Sequence, residues 1–187
     1  MNSRTYLLSA FIIKRRSFGE ADKIITVFSK ELGKKNLIAK GIRRIKSRRA
    51  GNLELFNDTV LLVRKSRHGL DYITETQLNR SFMRVAGNMA KTQLAYQLIE
   101  LIDKLTPVEQ TQEEVYDLIQ KAFEYLIELD LTRDKMDIIM LRFKLKLLSL
   151  LGFGMPAVKN LETVRDYIEQ IIEKKLVAKN YFGDDTI

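Results

Sequence analysis

The 187-residue sequence contains no cysteine, one histidine and two prolines, and these shortages exclude several kinds of chemistry. Without cysteine there is no disulfide, no cysteine-type zinc site, no iron–sulfur cluster and no thiol catalysis. The single histidine, His68, leaves no room for a multi-histidine metal site. The longest apolar stretches are interrupted by charged residues within a few positions, so we predict no membrane-spanning segment.

The first residues have the apolar character of a short secretion signal but lack its ending. Tyr6–Ile13 is apolar, yet Lys14, Arg15 and Arg16 follow where a small-residue cleavage site would stand. We therefore predict a cytoplasmic protein that does not associate with membranes.

Recognisable catalytic motifs are missing as well. Neither common phosphate-binding pattern, G-x-x-x-x-G-K-S/T or G-x-G-x-x-G, occurs, and Gly152-Phe153-Gly154 follows a predicted helix, so we interpret it as a helix terminator. His68 lies in a predicted hairpin turn, where a lone histidine is usually solvated. Acidic pairs such as Glu113-Glu114 have no acid–base partner and suit the first turn of a helix. We predict no catalytic residue, no metal site, no cofactor and no small-molecule substrate; the protein is not expected to be an enzyme.

Positive charge is concentrated in the first part of the chain. The whole sequence has a net charge of +8, but residues 1–80 alone carry +11 and residues 81–187 carry −3. Such an asymmetry indicates a polyanion-binding module joined to a module with another role. We place the domain boundary at this point, with domains at 1–80 and 81–187.

The first domain is predicted to be a small β-barrel. Glycines recur at short intervals and separate stretches rich in β-forming residues, which is typical of strands joined by turns. In the last stretch, Leu70, Tyr72, Thr74, Thr76 and Leu78 share one face, and Ile73 is the exception to the alternation. Five strands in about 75 residues fit an OB-fold barrel, with an SH3-like barrel as the nearest alternative. The predicted strands are Tyr6–Lys14, Lys23–Ser29, Lys34–Lys40, Leu53–Arg64 and Leu70–Leu78.

The second domain is predicted to be all-α, which makes the chain a two-domain α+β protein. Thr111 and Glu114 have the spacing of a capping box, Asn160 can begin the last helix, and Gly152 can end the third. The third helix is apolar nearly all round, which is usual for a helix at the centre of a bundle. The predicted helical segments are Leu94–Leu105, Val115–Leu129, Met136–Leu151 and Leu161–Val177.

The strongest functional signal is basic. No acidic residue lies between Lys34 and Arg49, and smaller clusters flank this run at Lys14–Lys23 and Arg64–Arg67. Such clusters attract phosphate backbones through Coulomb energy and counterion release. Phe18 is the candidate for base stacking, whereas Phe11, Phe28, Phe56 and Tyr72 lie on predicted strands and fit the core better. The predicted phosphate contacts are Arg15, Arg16, Lys23, Lys34, Lys35, Lys40, Arg43, Arg44, Lys46, Arg48 and Arg49, with Gly19, Gly33 and Gly41 shaping the loops.

The predicted first strand leads into an Arg-x-x-aromatic-Gly-Glu-x-Asp-Lys-Ile turn, and an Ala-Lys-Gly-x-Arg-Arg-x-Lys-Ser run follows the hairpin glycine. These motifs, in this order, resemble those of the bacterial recombination mediators of the RecO family. The similarity extends over about residues 5–155 and is most specific between 15 and 56. The segments that carry it are Arg15–Ile24, Gly33-Lys34, Ala39–Arg48, Leu53–Phe56, Gly69–Glu75 and Leu147–Phe153.

This resemblance implies an OB-fold that binds single- and double-stranded DNA, followed by a helical domain. It also implies annealing of complementary strands and, together with RecR, assistance to RecA on DNA coated with the single-strand-binding protein SSB. It implies a bacterial, nucleoid-associated location and no catalytic activity. Many members carry a four-cysteine zinc site after the Leu-Leu-Gly-Phe segment, but Gly154–Asn160 contains no cysteine, so zinc is excluded here.

Two other functions use the same features. An RNA-binding OB-fold protein of the translation apparatus has a similar barrel and charge, and a preference for structured RNA over DNA distinguishes it. A protein–protein adaptor uses the helical domain as its working surface, and near-zero affinity for any nucleic acid at low salt distinguishes it.

Overall fold

The computed structural model describes residues 4–44, 49–128 and 132–178. Their contacts divide them into two compact units. The first runs to Met83 and also includes Pro107–Tyr116, and the second comprises Arg84–Thr106 and the chain from Asp117 onward.

The first unit is a closed barrel of five strands: β1 Thr5–Phe18, β2 Asp22–Ser29, β3 Gly33–Ala39, β4 Asp58–Arg64 and β5 Tyr72–Arg80. Their order around the barrel is β1-β2-β3-β5-β4. Neighbouring strands are antiparallel except β3 and β5, which pair in parallel at Ile38 and Tyr72. This order is that of an OB fold, so the predicted fold class is confirmed.

Alternate residues of the strands fill the barrel, as the two-residue period of a strand requires. Tyr6 and Leu32 pack at the margin of this core. Its buried strand residues are Leu8, Ala10, Ile12, Ile25, Val27, Leu37, Ala39, Leu61, Val63 and Ile73.

The predicted bounds of three strands were wrong. β1 continues to Phe18 beyond the predicted Lys14, β4 begins at Asp58 and not at Leu53, and β5 spans Tyr72–Arg80 and not Leu70–Leu78. The stretch before β4 forms a short 3-10 helix, Gly51–Leu53, and Phe56 has a φ of 69°, which no strand accommodates. In β5, a register shift between Leu62 and Val63 of the partner strand breaks the alternation. Ile73, the predicted exception, therefore belongs to the core, while Leu78 is exposed.

The connection Pro107–Tyr116 is bound to the barrel by main-chain and side-chain contacts. Glu109 N donates to the Lys34 carbonyl at 2.8 Å, and the Thr111 hydroxyl donates to the Glu31 carbonyl at 2.7 Å. Thr111 does not form the predicted capping box with Glu114, because the helix begins at Glu113 and Gln112 precedes it. The approach is so close that a Cβ on Gly33 would lie 1.9 Å from the Gln110 carbonyl oxygen.

In the described part of the chain, four helices follow: α1 Met89–Leu105, α2 Glu113–Glu128, α3 Arg133–Leu150 and α4 Leu161–Ile172. Only the first turn of α2 belongs to the barrel unit. Asn160 begins α4 by accepting a hydrogen bond from Thr163 N at 2.8 Å, and Gly152, with a φ of 75°, ends α3. Both ends agree with the sequence-based prediction. In the part of the chain that the structure describes, none of the helices has the length and apolar character to cross a membrane.

Two predictions about the helices were wrong. α3 is not enclosed on all sides: Met140, Phe143 and Leu147 are buried, but Ile138 is half exposed. α4 ends at Ile172, not at Val177, because Glu173 adopts a left-handed conformation that stops the helix.

Candidate nucleic-acid interface

The strand register brings the basic segments to one band of the barrel. Lys23 of β2 lies opposite Ala39, whose neighbour Ile38 lies opposite Tyr72. Tyr72 in turn lies opposite Arg64 of β4, and Arg64 lies opposite Thr5 of β1. Segments that are distant in sequence are therefore joined through neighbouring strands, and cations of β2 and β4 lie along this path.

The loop after β3 is tied to the turn between β1 and β2. Gly41 has a φ of 65°, and its N–H donates to the Asp22 carboxylate at 2.7 Å. Arg43 N donates to the Ala21 carbonyl at 3.0 Å, and its guanidinium reaches the Gly19 carbonyl at 3.4 Å. Two loops that carry predicted site residues are thus held together by hydrogen bonds.

Arg49 forms hydrogen bonds that stabilise the barrel. Its guanidinium donates to the carbonyls of Ile73 at 2.7 Å and Lys40 at 2.6 Å. The register of the parallel β3–β5 pair contains only Ile38 and Tyr72, so the guanidinium adds hydrogen bonds where the ladder is short. Its planar fork of donors suits this task, which an ammonium group cannot reproduce.

Three more of the residues predicted to contact phosphate are buried or paired within the protein. Lys34 is buried, with 8% of its surface exposed. Lys35 Nζ lies 2.6 Å from a Glu109 oxygen and 3.5 Å from Asp71. Arg15 donates to the Leu53 carbonyl at 3.2 Å and pairs with Glu54.

The remaining predicted cations face solvent to a larger degree. Arg16, Lys40, Arg43 and Arg44 are exposed, and Lys23 is half-buried. Lys46 and Arg48 lie outside the described residues. Three exposed cations at the end of β4 and in the connection to β5 complete the band. They form one of the basic clusters of the sequence but were not among the predicted contacts: Arg64, Lys65 and Arg67.

The aromatic residues divide as follows. Phe11, Phe28 and Phe56 are buried, as expected, and Phe18 at the end of β1 is 48% exposed. Tyr72 is half-buried, not part of the core, and its ring lies 4.3 Å from Lys40 Nζ and 6.0 Å from Arg64 Cζ. Tyr72 was predicted to fit the core and was not among the predicted site residues. The signal available was its alternation with Ile73, which places the two side chains on opposite faces.

Asp71, an acid that accepts hydrogen bonds, lies next to the band and pairs with Lys35. Tyr6 donates its hydroxyl to Asp71 at 2.6 Å, and burial together with the Asp71 carboxylate raises the pKa of Tyr6. Burial works to raise the pKa of Asp71, but hydrogen bonds from Tyr6 and Ser66 N and the charge of Lys35 lower it overall. The carboxylate is therefore charged at neutral pH and already paired.

A second buried acid lies at the other end of the barrel. Asp58 accepts hydrogen bonds from the Tyr116 hydroxyl at 2.8 Å and from the Asn79 amide at 2.6 Å. Burial raises the pKa of Asp58 despite these two bonds. Phe11 packs against Tyr116, with ring centroids 5.2 Å apart, so this acid anchors the start of α2 to the barrel unit.

The helical unit has an ion cluster beside an open cavity of about 850 Å³. Glu169, 7% exposed, accepts hydrogen bonds from Arg165 at 3.0 Å and Leu176 N at 3.0 Å and pairs with Lys175 at 2.7 Å. Burial works to raise the pKa of Glu169, but these three partners lower it to about 2. Glu100 accepts from Val177 N at 2.8 Å, so two acids hold the segment after α4. Across residues 4–44, 49–128 and 132–178, no cluster of acidic and histidine side chains is arranged to hold a metal ion.

The barrel order and the exposed basic band define an OB-fold protein with an appended α-helical unit. The family profile for the N-terminal domain of recombination protein O matches residues 1–82, and the profile for its C-terminal domain matches residues 87–176. The chain belongs to the recombination protein O (RecO) family.

Individual relatives agree with the family assignment. A DNA repair protein RecO from Roseiflexus sp. (strain RS-1) is 29% identical over 153 residues, which is 82% of this chain and 52% of that protein. One from Symbiobacterium thermophilum is 32% identical over 148 residues, 79% of this chain and 57% of that protein. One from Nostoc punctiforme is 34% identical over 124 residues, 66% of this chain and 41% of that protein. The chain spans about half the length of the curated relatives it matches.

Proposed function

We propose that this protein is a non-enzymatic recombination mediator that binds single- and double-stranded DNA through its OB barrel during DNA repair. The name of its relatives, DNA repair protein RecO, supports this role. The observation that carries the proposal is the register of the barrel, which places cations from β2, β4 and two loops on one band. Contacts to the phosphate backbone suit both forms of DNA, because each form presents the same charged groups.

The proposed DNA-binding site leaves out four of the residues that were predicted from the sequence. Arg15, Lys34, Lys35 and Arg49 have partners within the protein, and we assign them to the stability of the barrel and its loops. Lys46 and Arg48 remain in the proposed site on their sequence pattern alone. The exposed or half-buried members of the site are Arg16, Lys23, Lys40, Arg43, Arg44, Arg64, Lys65 and Arg67.

The helical domain is proposed to supply the protein partnerships. We divide the roles at residue 80, with DNA contacts before it and contacts to RecR, SSB and RecA after it. Its net charge of −3 makes it a poor DNA ligand, which supports this division. The proposed location is the cytoplasm, at the nucleoid.

The first test measures DNA affinity as a function of salt. The double variant Arg43→Ala/Arg44→Ala is expected to bind single- and double-stranded oligonucleotides more weakly. Its plot of log K against log salt should be shallower by about 0.7–0.9 for each phosphate that the variant no longer neutralises. The matched control, Lys121→Ala/Lys135→Ala, removes two exposed cations of the helices and should leave the slope unchanged. An unchanged slope in the first variant would remove this loop from the site.

The second test addresses mediation itself. Complementary oligonucleotides coated with SSB are mixed with and without the protein at two salt concentrations, and annealing is followed. Salt-sensitive acceleration is expected. Binding of bare DNA without acceleration would retain the DNA-binding role and reject the partnership with SSB. A preference for structured RNA over both DNAs would favour a role in translation.

A further inference from the structure

Tyr72 is unusual among the aromatic residues of the barrel. It is the first residue of β5 and lies opposite Arg64 of β4 and Ile38 of β3. Its neighbour Ile73 points into the core, so the Tyr72 ring is on the outer surface of the barrel, where it is half-buried. The backbone of Tyr72 is thus held by strand pairing, and part of its ring is accessible on the outer surface.

Two cations flank this ring. Lys40 Nζ lies 4.3 Å and Arg64 Cζ 6.0 Å from its centroid, both within the range of a cation–π contact. Both side chains are exposed and belong to the basic band. An ammonium on a four-carbon stem can leave the ring for a phosphate at little cost, since cation–π contacts at exposed sites contribute only about 0.5–1 kcal/mol.

We infer that Tyr72 is a stacking platform for a base of unpaired DNA, and that Lys40 and Arg64 hold the phosphates on either side of that base. This inference rests on the proposed DNA-binding function and adds a contact that discriminates between strands. A duplex already stacks its bases on one another, so a surface ring reaches a base face only when the strand is single or a base has been extruded. Aromatic stacking works with every base and gives little sequence preference.

The barrel supports this assignment over the predicted candidate, Phe18. Phe18 is the last residue of β1 and is followed by Gly19 at a φ of 60°, so it lies at a turn. Tyr72 is held by pairing on both sides and is centred between cations from two other segments. A nucleotide needs both a ring and a counter-charge for its phosphate, and Tyr72 has both within 6.0 Å.

The test compares three probes of equal length, about 15 nucleotides: oligo(dT), an abasic phosphodiester and a duplex. Tyr72→Ala should weaken oligo(dT) binding roughly 5- to 100-fold, the range expected for losing one stacked base. Binding of the abasic strand and the duplex should stay within about twofold of the wild type, because neither presents a free base. Tyr72→Phe should retain oligo(dT) affinity, and Tyr125→Ala, which removes an exposed tyrosine of α2, is the matched control.

A second variant gives a readout that does not depend on affinity. The chain has no tryptophan, so Tyr72→Trp introduces a single indole. Its fluorescence should be quenched by oligo(dT) and not by the abasic strand, since only a base can stack on the indole.

The outcomes separate the two proposals. Equal oligo(dT) binding by wild type and Tyr72→Ala, with normal salt dependence, would overturn the stacking role and leave DNA binding intact. A similar weakening on all three probes would also overturn it, because the ring would then act only on the fold or the charge. Failure of the wild type to bind any probe would overturn both.

Discussion

Two regions of the barrel carry cations and use them differently. Where Pro107–Tyr116 contacts the barrel, acids face the lysines: Lys30 pairs with Glu113 at 2.8 Å and Lys35 with Glu109 at 2.6 Å. In the basic band, Arg44 and Lys40 are exposed, and no acidic residue occurs between Lys34 and Arg49. Charge density in a sequence therefore identifies a polyanion site only after cations with internal partners are subtracted. A cation already paired within the protein does not neutralise a DNA phosphate, so it displaces none of the counterions condensed on the DNA.

The largest expected effect concerns the region of paired charges. Gly33 and Gly19 have φ values of 64° and 60°, but only Gly33 is overlaid by a carbonyl oxygen. Gly33→Ala should lower the free energy of unfolding by about 2–4 kcal/mol, because a backbone clash is added to the strain of a left-handed alanine. Gly19→Ala meets no atom within 4 Å and should cost about 1–2 kcal/mol. Urea unfolding of both variants measures the difference. Equal destabilisation of the two variants would mean that Pro107–Tyr116 does not hold its place against β3.

An intermediate loss of stability is expected for a substitution of Arg49. This residue belongs to the basic run of the sequence, but its guanidinium forms hydrogen bonds within the barrel. Arg49→Lys keeps the charge and loses the forked hydrogen bonds to Ile73 and Lys40. We expect a decrease of about 1.5–3 kcal/mol in unfolding free energy, the range for hydrogen bonds made by charged groups. The slope of DNA affinity against salt should not change. If stability were retained and the slope fell, Arg49 would belong with the phosphate contacts.

The smallest stability effects are expected for substitutions of Lys35 and Arg44, and this pair tests the comparison most directly. Lys35→Gln should cost about 0.5–1.5 kcal/mol, because Asp71 and Glu109 lose a shared partner. Arg44→Gln is the opposite case: the exposed side chain should cost less than about 0.5 kcal/mol on removal. Thermal melts and salt titrations of DNA binding are measured on both variants. We expect only Arg44→Gln to reduce the salt slope, and a reduced slope for Lys35→Gln would erase the distinction between the regions.

The sequence predicted the architecture better than it predicted the edges of the elements. The alternation of apolar residues and the regular glycines indicated five strands, and all five are present. Phe56 and the bulge at Leu62 shifted the ends of β4 and the faces of β5, because such features depend on pairing with a partner strand. Thr111 is not the capping residue because α2 begins at Glu113, and the Thr111 hydroxyl donates to the Glu31 carbonyl of the barrel.

The residues of the candidate site were likewise predicted only in part. Composition located the cations, and Arg16, Lys40, Arg43 and Arg44 are exposed as a phosphate contact requires. The use of Arg49 as a brace depends on which carbonyls lie near the residue once the chain is folded. The position of Tyr72 between two cations depends on a parallel pairing that no local pattern encodes.

What the sequence determined by itself is the placement of charge, the type and order of the elements and the membership of a family. These properties depend on residue identity and on spacings of a few positions, which are present before the chain folds. The tertiary structure decided which cations are paired within the protein and which aromatic ring is accessible. It also decided where Pro107–Tyr116 contacts the barrel. Those outcomes depend on residues that are distant in sequence, since Lys35 meets Glu109 and Tyr72 meets Lys40 only after the barrel closes.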